Sequence, residues 1–138
     1  LEKLIAEFKT ADRIERVLEL AKDGGQGGKI TLKTIQEARV GLELEARGIL
    51  KGPIKRYPGL AADFVDANGQ AWDVKGFFSG NGQQGAFKLA DDLAKVGNEL
   101  KLGENVIVDT TKMKPEHVAE LRASITNQGW DARVKWYP

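Results

Sequence analysis

Cysteine is absent from the 138 residues, and histidine occurs once, at His117. A disulfide framework and a thiolate metal site are thereby excluded, and His-rich zinc chemistry with them. Any bound metal must be held by carboxylates, which selects hard cations such as magnesium or manganese. Long apolar runs are missing as well. Nothing approaches the roughly 18 to 20 consecutive apolar residues of a membrane-spanning helix, and mean hydropathy is -0.38. Nor is there an excess of one charge, with Lys+Arg 21 against Asp+Glu 20. What is present, 41% hydrophobic and 30% charged residues, is the make-up of one ordinary globular domain. The chain is therefore read as a single domain over 1–138, with an N-terminal helix and glycine loop in 1–28 and the core in 29–138. It opens on Leu1 with no charged region followed by an apolar run. No signal peptide is expected, and a longer parent protein is.

Apolar positions at Leu4, Ile5, Phe8, Ile14, Val17, Leu18 and Ala21 follow the helical period, and the run Asp23 to Gly28 ends it. From Thr34 to Leu50 the stripe Ile35, Ala38, Leu42, Ala46 and Ile49 predicts a second helix, which Val40 and Leu44 make apolar on two sides and therefore well buried. Between Leu60 and Phe78 the period changes to 2, which predicts a hairpin around Ala67-Asn68-Gly69. A helix over about 86–100, a buried strand at Asn105 to Val108, a helix opened by Pro115 and stopped by Gly129, and a last strand at Ala132 to Trp136 complete the order ααββαβαβ. The fold class is α/β, a mixed sheet flanked by helices.

The hairpin turn decides which acids share a face. A two-residue turn at Asn68-Gly69 would send Asp63 and Asp73 to opposite faces. A three-residue loop closed by Gly69 in the left-handed region would instead set Asp63 opposite Asp73, with Lys75 on the same face and Phe64, Trp72 and Val74 on the other. The second register makes sense of both faces and is preferred. Two opposed carboxylates repel unless a cation sits between them. Lys75 adds a point charge suited to phosphodiester hydrolysis. Against this stands the plain reading of Asp63, Asp66 and Asp73 as solvent-facing hairpin residues, with Lys75 as a diagonal ion pair.

Asp63, nine intervening residues and then Asp73-Val74-Lys75 resemble the PD-(D/E)XK nuclease superfamily, whose core also runs helix, hairpin, helix, strand. The stretch from Glu37 to Phe77 is similar to the C-terminal toxin domains of contact-dependent growth inhibition proteins and related polymorphic toxins. The resemblance covers roughly residues 31 to 110, and its motif is short and degenerate. Ala62 stands where the superfamily often has proline. The resemblance implies a restriction-endonuclease-like core, Asp63 and Asp73 as metal ligands, and Lys75 as the catalytic lysine. A helical glutamate completes the set, for which Glu37 is chosen and Glu43 stands second. The alternative for Glu37 is a capping box, Thr34-Ile35-Gln36-Glu37, in which it only satisfies a helix-start amide. The implied metal is Mg2+, with Mn2+ or Zn2+ as alternatives. The implied partners are a nucleic acid and a dedicated immunity protein. The implied setting is a larger secreted or cell-surface bacterial protein, delivered to the target-cell cytoplasm.

Both tRNA nucleases and DNases occur among such toxins. Arg47, Lys51, Lys55 and Arg56 form a basic stretch with no acid between Ala46 and Ala62. Lys112, Lys114, Arg133 and Lys135 offer a second basic surface, interleaved with Tyr57, Trp136 and Tyr137. Aromatics of this kind stack on unpaired bases, which favours a looped RNA, tRNA in particular. Core packing explains Trp136 equally well. Gly80, Gly82 and Gly85 match the dinucleotide fingerprint G-x-G-x-x-G, with Asp109 beyond it. The preceding strand, carrying Asp73 and Lys75, is too polar for that fold's central strand. In the nuclease reading the same loop and Lys88 would meet a substrate phosphate. His117 is read as a surface residue with no nucleophile beside it, and Thr110 and Thr111 as loop residues.

Overall fold

A computed structural model describes residues 11–22, 29–58, 62–80 and 86–138. The chain falls into two units, Leu1–Ala71 and Trp72–Pro138. Among the described residues the elements are four α-helices and five strands, antiparallel in the first pair and parallel in the last three, which is the α/β class with a mixed sheet.

In the first unit, helix α1 spans Ala11–Leu20 and α2 spans Leu32–Ala46. The glycine run after α1 lies outside the described residues. Helix α2 starts earlier than its apolar stripe suggests. Thr31 is the N-cap, its hydroxyl accepting the Thr34 N–H at 3.2 Å while Thr34 Oγ1 accepts the Thr31 N–H at 2.8 Å. The capping box is therefore Thr31 with Thr34, one turn before the Thr34 to Glu37 box read from the sequence, and Glu37 has no capping role in it. Ile35, Ala38, Val40 and Leu44 are buried at 0% exposed, as the two apolar edges predict, but Ala46 and Ile49 at the end of the stripe are exposed, Ile49 at 41%, because the helix stops at Ala46. Gly41 is where the side chains of Phe64 and Ile54 come closest. A Cβ there would lie 2.6 Å from Phe64 Cε2 and 3.0 Å from Ile54 Cδ1. Its smallness thus serves core packing.

Strand β1 (Lys55–Arg56) pairs antiparallel with β2 (Phe64–Val65), with Arg56 opposite Phe64. The sequence did not anticipate β1, because two residues are too short to show a period. The loop after β2 takes the three-residue form. The Gly69 N–H donates to the Asp66 carbonyl at 3.0 Å, the Asp66 N–H to the Gln70 carbonyl at 3.0 Å, and Gly69 adopts φ +82. The Asp66 carboxylate fixes this turn by accepting the Asn68 and Gln70 N–H groups. Asp66 is a turn-former here, as short acids often are.

Strand β3 (Ala71–Gly76) leads into the second unit, where helix α3 (Leu89–Lys101) crosses to the parallel strand β4 (Asn105–Asp109). Helix α4 (Pro115–Asn127), with proline in its first turn, crosses to the parallel strand β5 (Val134–Tyr137). Gly129 ends α4 at φ +76, the left-handed stop its position predicts. Strand β5 begins two residues later than expected because Asp131–Arg133 form a turn of 3-10 helix. β4 is buried over its last four residues, as its unbroken apolar run requires. The core of this unit joins Val106, Val108 and Val134 of the strands to Val96 and Leu100 of α3 and Leu121 and Ile125 of α4. Gly97 brings α3 against Trp130, whose Cη2 would lie 2.9 Å from an added Cβ.

Candidate active site

The parallel register places Asp73 beside Val106 and Lys75 beside Val108. Registered neighbours in a sheet point to the same face, so Asp73 and Lys75 share the face on which α3 packs through Val96 and Leu100. Trp72 and Val74 occupy the other face and are 5% and 8% exposed. That alternation is the one the sequence predicted for β3. The acid-bearing face, however, is not open. The Lys75 side chain retains 26% exposure and that of Asp73 13%.

Lys75 Nζ lies 3.0 Å from Asp73 Oδ2 and 3.1 Å from Glu99 Oε1, a carboxylate that α3 lowers onto it. Burial works against the ammonium charge, but Asp73 and Glu99 outweigh it and hold the Lys75 pKa above the ordinary lysine value. Lys75 is therefore a fixed positive charge at neutral pH and not a proton acceptor. Glu104, immediately before β4, completes the cluster. One carboxylate oxygen from each of Asp73, Glu99 and Glu104 lies within 4.8 Å of the others. Glu104 is 3% exposed, and among the described residues neither of its side-chain oxygens has a hydrogen-bond partner. Burial first, and then the Glu99 and Asp73 carboxylates, push its pKa up to about 7. Arg133 is close by, but its N–H groups go to the Leu100 and Glu104 carbonyls at 3.0 and 2.8 Å and to Asn105 Oδ1, not to that carboxylate.

Of this cluster the sequence singles out Asp73 and Lys75 as candidates, and not Glu99 or Glu104. Glu99 precedes buried Leu100, and Glu104 precedes an apolar strand, so each is an acid at the edge of a buried run. Spacing alone cannot bring residues 73, 99 and 104 together, because that requires the register of two parallel strands and the docking of the helix between them.

The other expected site residues fall as follows. In the first unit, Glu37 lies on α2 at 8% exposure. Asp63 Oδ1 is 3.6 Å from Arg56 Nη2. Glu43, the second choice for the helical acid, pairs with Arg13 and Arg47. Arg56 also donates to the Leu20 carbonyl at 3.1 Å and lies over the Phe64 ring, so much of its guanidinium serves the fold. Lys51 and Lys55 are exposed. A cleft of about 470 Å³ is lined by Arg16, Glu19, Leu20, Pro53, Ile54, Lys55 and Arg56, which sets part of the basic stretch around a concavity. In the second unit, Lys88 is exposed before α3. Lys112 Nζ sits 4.9 Å from the centre of the Phe78 ring, and Phe78 is 45% exposed. Trp136 packs at the edge of the core beneath Arg122. Of the glycine fingerprint, positions 81–85 lie outside the described residues. The acid beyond it, Asp109, is turned to its own loop, accepting the N–H and hydroxyl of Thr111. Thr110 bonds the Tyr137 carbonyl at 2.8 Å.

His117 differs from the sequence reading, because a hydroxyl does stand beside it. Ser79 Oγ is 2.7 Å from His117 Nδ1 and accepts the Lys114 N–H at 2.7 Å. Phe87 stacks on the imidazole at 4.4 Å. Ser79 is 6% exposed. A hydroxyl so enclosed, already accepting a backbone N–H, ties the segment after β3 to the start of α4 and is not presented to a substrate.

No family model, no curated protein and no solved structure matches this chain.

Proposed function

We propose that this chain is a metal-dependent nuclease domain acting on RNA, with tRNA as the preferred substrate. The observation that carries the reading is the Asp73 and Lys75 pair, two residues apart on one face of β3 and 3.0 Å from each other. A carboxylate that can hold a hard cation, next to an ammonium group locked in its charged form, suits the build-up of negative charge on a phosphodiester under attack. A bound divalent ion would supply a Lewis acid and a more acidic water. Asp73 would help to hold it, the role the sequence resemblance implies for this residue. Lys75 would steady the charge developing at phosphorus. The element order α2, β1, β2, β3, α3, β4 further supports the resemblance to the PD-(D/E)XK core.

Exposed Phe78 under Lys112 is a platform on which an unpaired base can stack, and exposed Lys51, Lys55 and Lys88 are suited to phosphates. By the same resemblance, the domain is the toxin end of a larger secreted or surface-displayed bacterial protein, active in the target-cell cytoplasm and neutralised by an immunity protein.

The test is incubation of the purified chain with total tRNA and with plasmid DNA, in magnesium and in EDTA, beside Asp73→Ala. Cleavage of tRNA that EDTA stops and Asp73→Ala lowers by about a hundredfold or more is expected. Cleavage of DNA alone would move the substrate to DNA. If neither polymer is cut in any condition, the nuclease reading is overturned.

A further inference from the structure

We infer that Asp73, Glu99 and Glu104 form a divalent-cation site built wholly within the second unit, taking a hard ion such as Mn2+, Mg2+ or Ca2+. The inference shares Asp73 with the proposed hydrolytic set but does not need that reading to hold.

Glu104 makes the case. Glu104 is 3% exposed, yet among the described residues neither of its carboxylate oxygens has a hydrogen-bond partner, and neither does Glu99 Oε2. Leaving a carboxylate buried without partners is among the most costly arrangements a fold can keep. Arginine, the usual remedy, is present as Arg133 but is spent on carbonyl groups. Three acids meet one ammonium group, Lys75, which reaches Asp73 and Glu99 and leaves Glu104 unanswered.

The dimensions fit a cation. Two oxygens bound to one Ca2+ at about 2.3–2.6 Å can stand up to roughly 4.6–5.2 Å apart, and a smaller ion such as Mg2+ at about 2.0–2.1 Å would draw them to roughly 4.2 Å or less; the three carboxylates lie within 4.8 Å of one another. An all-oxygen donor set selects a hard cation over a thiophilic one. Lys75 then has a second consequence. Its ammonium competes for the same oxygens, so an entering ion must draw Asp73 or Glu99 away from it. Removing Lys75 should therefore improve cation binding while it harms any chemistry that needs the lysine.

The experiment is a Mn2+ titration of the intact chain at pH 8, with bound and unbound ion separated by electron paramagnetic resonance and folding checked by circular dichroism. Wild type should bind Mn2+. Glu104→Gln and Glu99→Gln, which keep side-chain shape, should each weaken binding at least tenfold. Lys75→Met should tighten it severalfold. Mg2+ and Ca2+ should compete. No binding by wild type at millimolar Mn2+, or unchanged affinity in both glutamine variants, would overturn the site. Because the readout is metal binding, the two proposals can fail separately. Glutamate-dependent binding without cleavage keeps this site and removes the nuclease. EDTA-sensitive cleavage with unaltered binding in the glutamine variants does the reverse.

Discussion

Glu45 and Asp63 of the first unit each meet an arginine, whereas in the second Asp73 and Glu99 meet the same lysine and Glu104 lies beside them. Glu45 receives both terminal nitrogens of Arg16 and the Ile54 N–H, the last at 2.7 Å. This fork holds the Glu45 pKa below the ordinary carboxylate value, chiefly through the Arg16 hydrogen bonds and against the effect of burial. An arginine offers five donors in a plane and can satisfy a carboxylate's lone pairs together, while lysine supplies a single compact charge. The first unit thus uses its acids as structural joints. In the second, among the described residues, the Glu104 carboxylate has no hydrogen-bond donor, which is the condition for taking up an ion from outside.

The contrast is broken most severely by removing one acid from each unit. Glu45→Ala should destabilise the chain by about 2 kcal/mol, since it strands the Ile54 N–H and releases a partly exposed Arg16. Urea denaturation near pH 7 measures this loss.

Glu104→Gln should act in the opposite direction. Measured in EDTA at pH 8, it is expected to stabilise the chain on the order of 1 to 2 kcal/mol by removing a buried like charge. The pH dependence sharpens the difference. Glu104 titrates at about 7 in the folded chain against an ordinary 4.5, so between these values the folded state keeps a proton that the unfolded state has lost. Stability from this group therefore falls as pH rises through that window and levels off above it, while Asp73, Lys75 and Glu99 face the group. Glu45 has the reverse sign. Its folded pKa is lowered, so its stabilisation is present above about 4.5 and disappears as pH falls below. Taken as differences from wild type, urea midpoints should rise with pH for Glu104→Gln between about 4.5 and 7, and for Glu45→Ala should fall with rising pH only in the range below about 4.5 and be flat above it. Parallel slopes would remove the contrast.

A smaller loss, about 1 kcal/mol, is expected for Ser79→Ala, which takes away the acceptor of the Lys114 N–H and the partner of His117. Thermal melts suffice to see it. Arg47→Ala should change stability by less than about 0.5 kcal/mol, because the Arg47 and Glu43 side chains are 40% and 37% exposed and such pairs contribute little. A loss above 1 kcal/mol would show that the exposed pairs of the first unit matter as much as the Arg16 fork.

Much of the fold was legible because it rests on local rules. Pro115 and Gly129 bracket α4, the run Asn105 to Val108 is a buried strand, and Gly69 closes a three-residue loop. Each follows from a backbone restriction or a side-chain period within a few residues. Strand β1 was not legible, being two residues long, and the start of α2 was displaced because Thr31 outcompetes Thr34 as the cap. Of the candidate site, Asp73 and Lys75 share a face by strand alternation alone. Their neighbours Glu99 and Glu104 do not announce themselves.

By itself, the sequence determined the class of chain, the oxygen-only donors available to a metal, and the alternation that parts Asp73 and Lys75 from Trp72 and Val74. These follow from composition and from periods of 2 and 3.6, which are properties of the local chain. Only the tertiary structure decided that Lys75 is claimed by Glu99 as well as Asp73, and that Arg56 is spent on Asp63 and the Leu20 carbonyl. It likewise decided that the Glu104 carboxylate is buried beside both other acids, with no hydrogen bond to it among the described residues. Those pairings depend on the register of β3 with β4 and on how α3 lies across them. They arise between residues tens of positions apart, where no local period reaches.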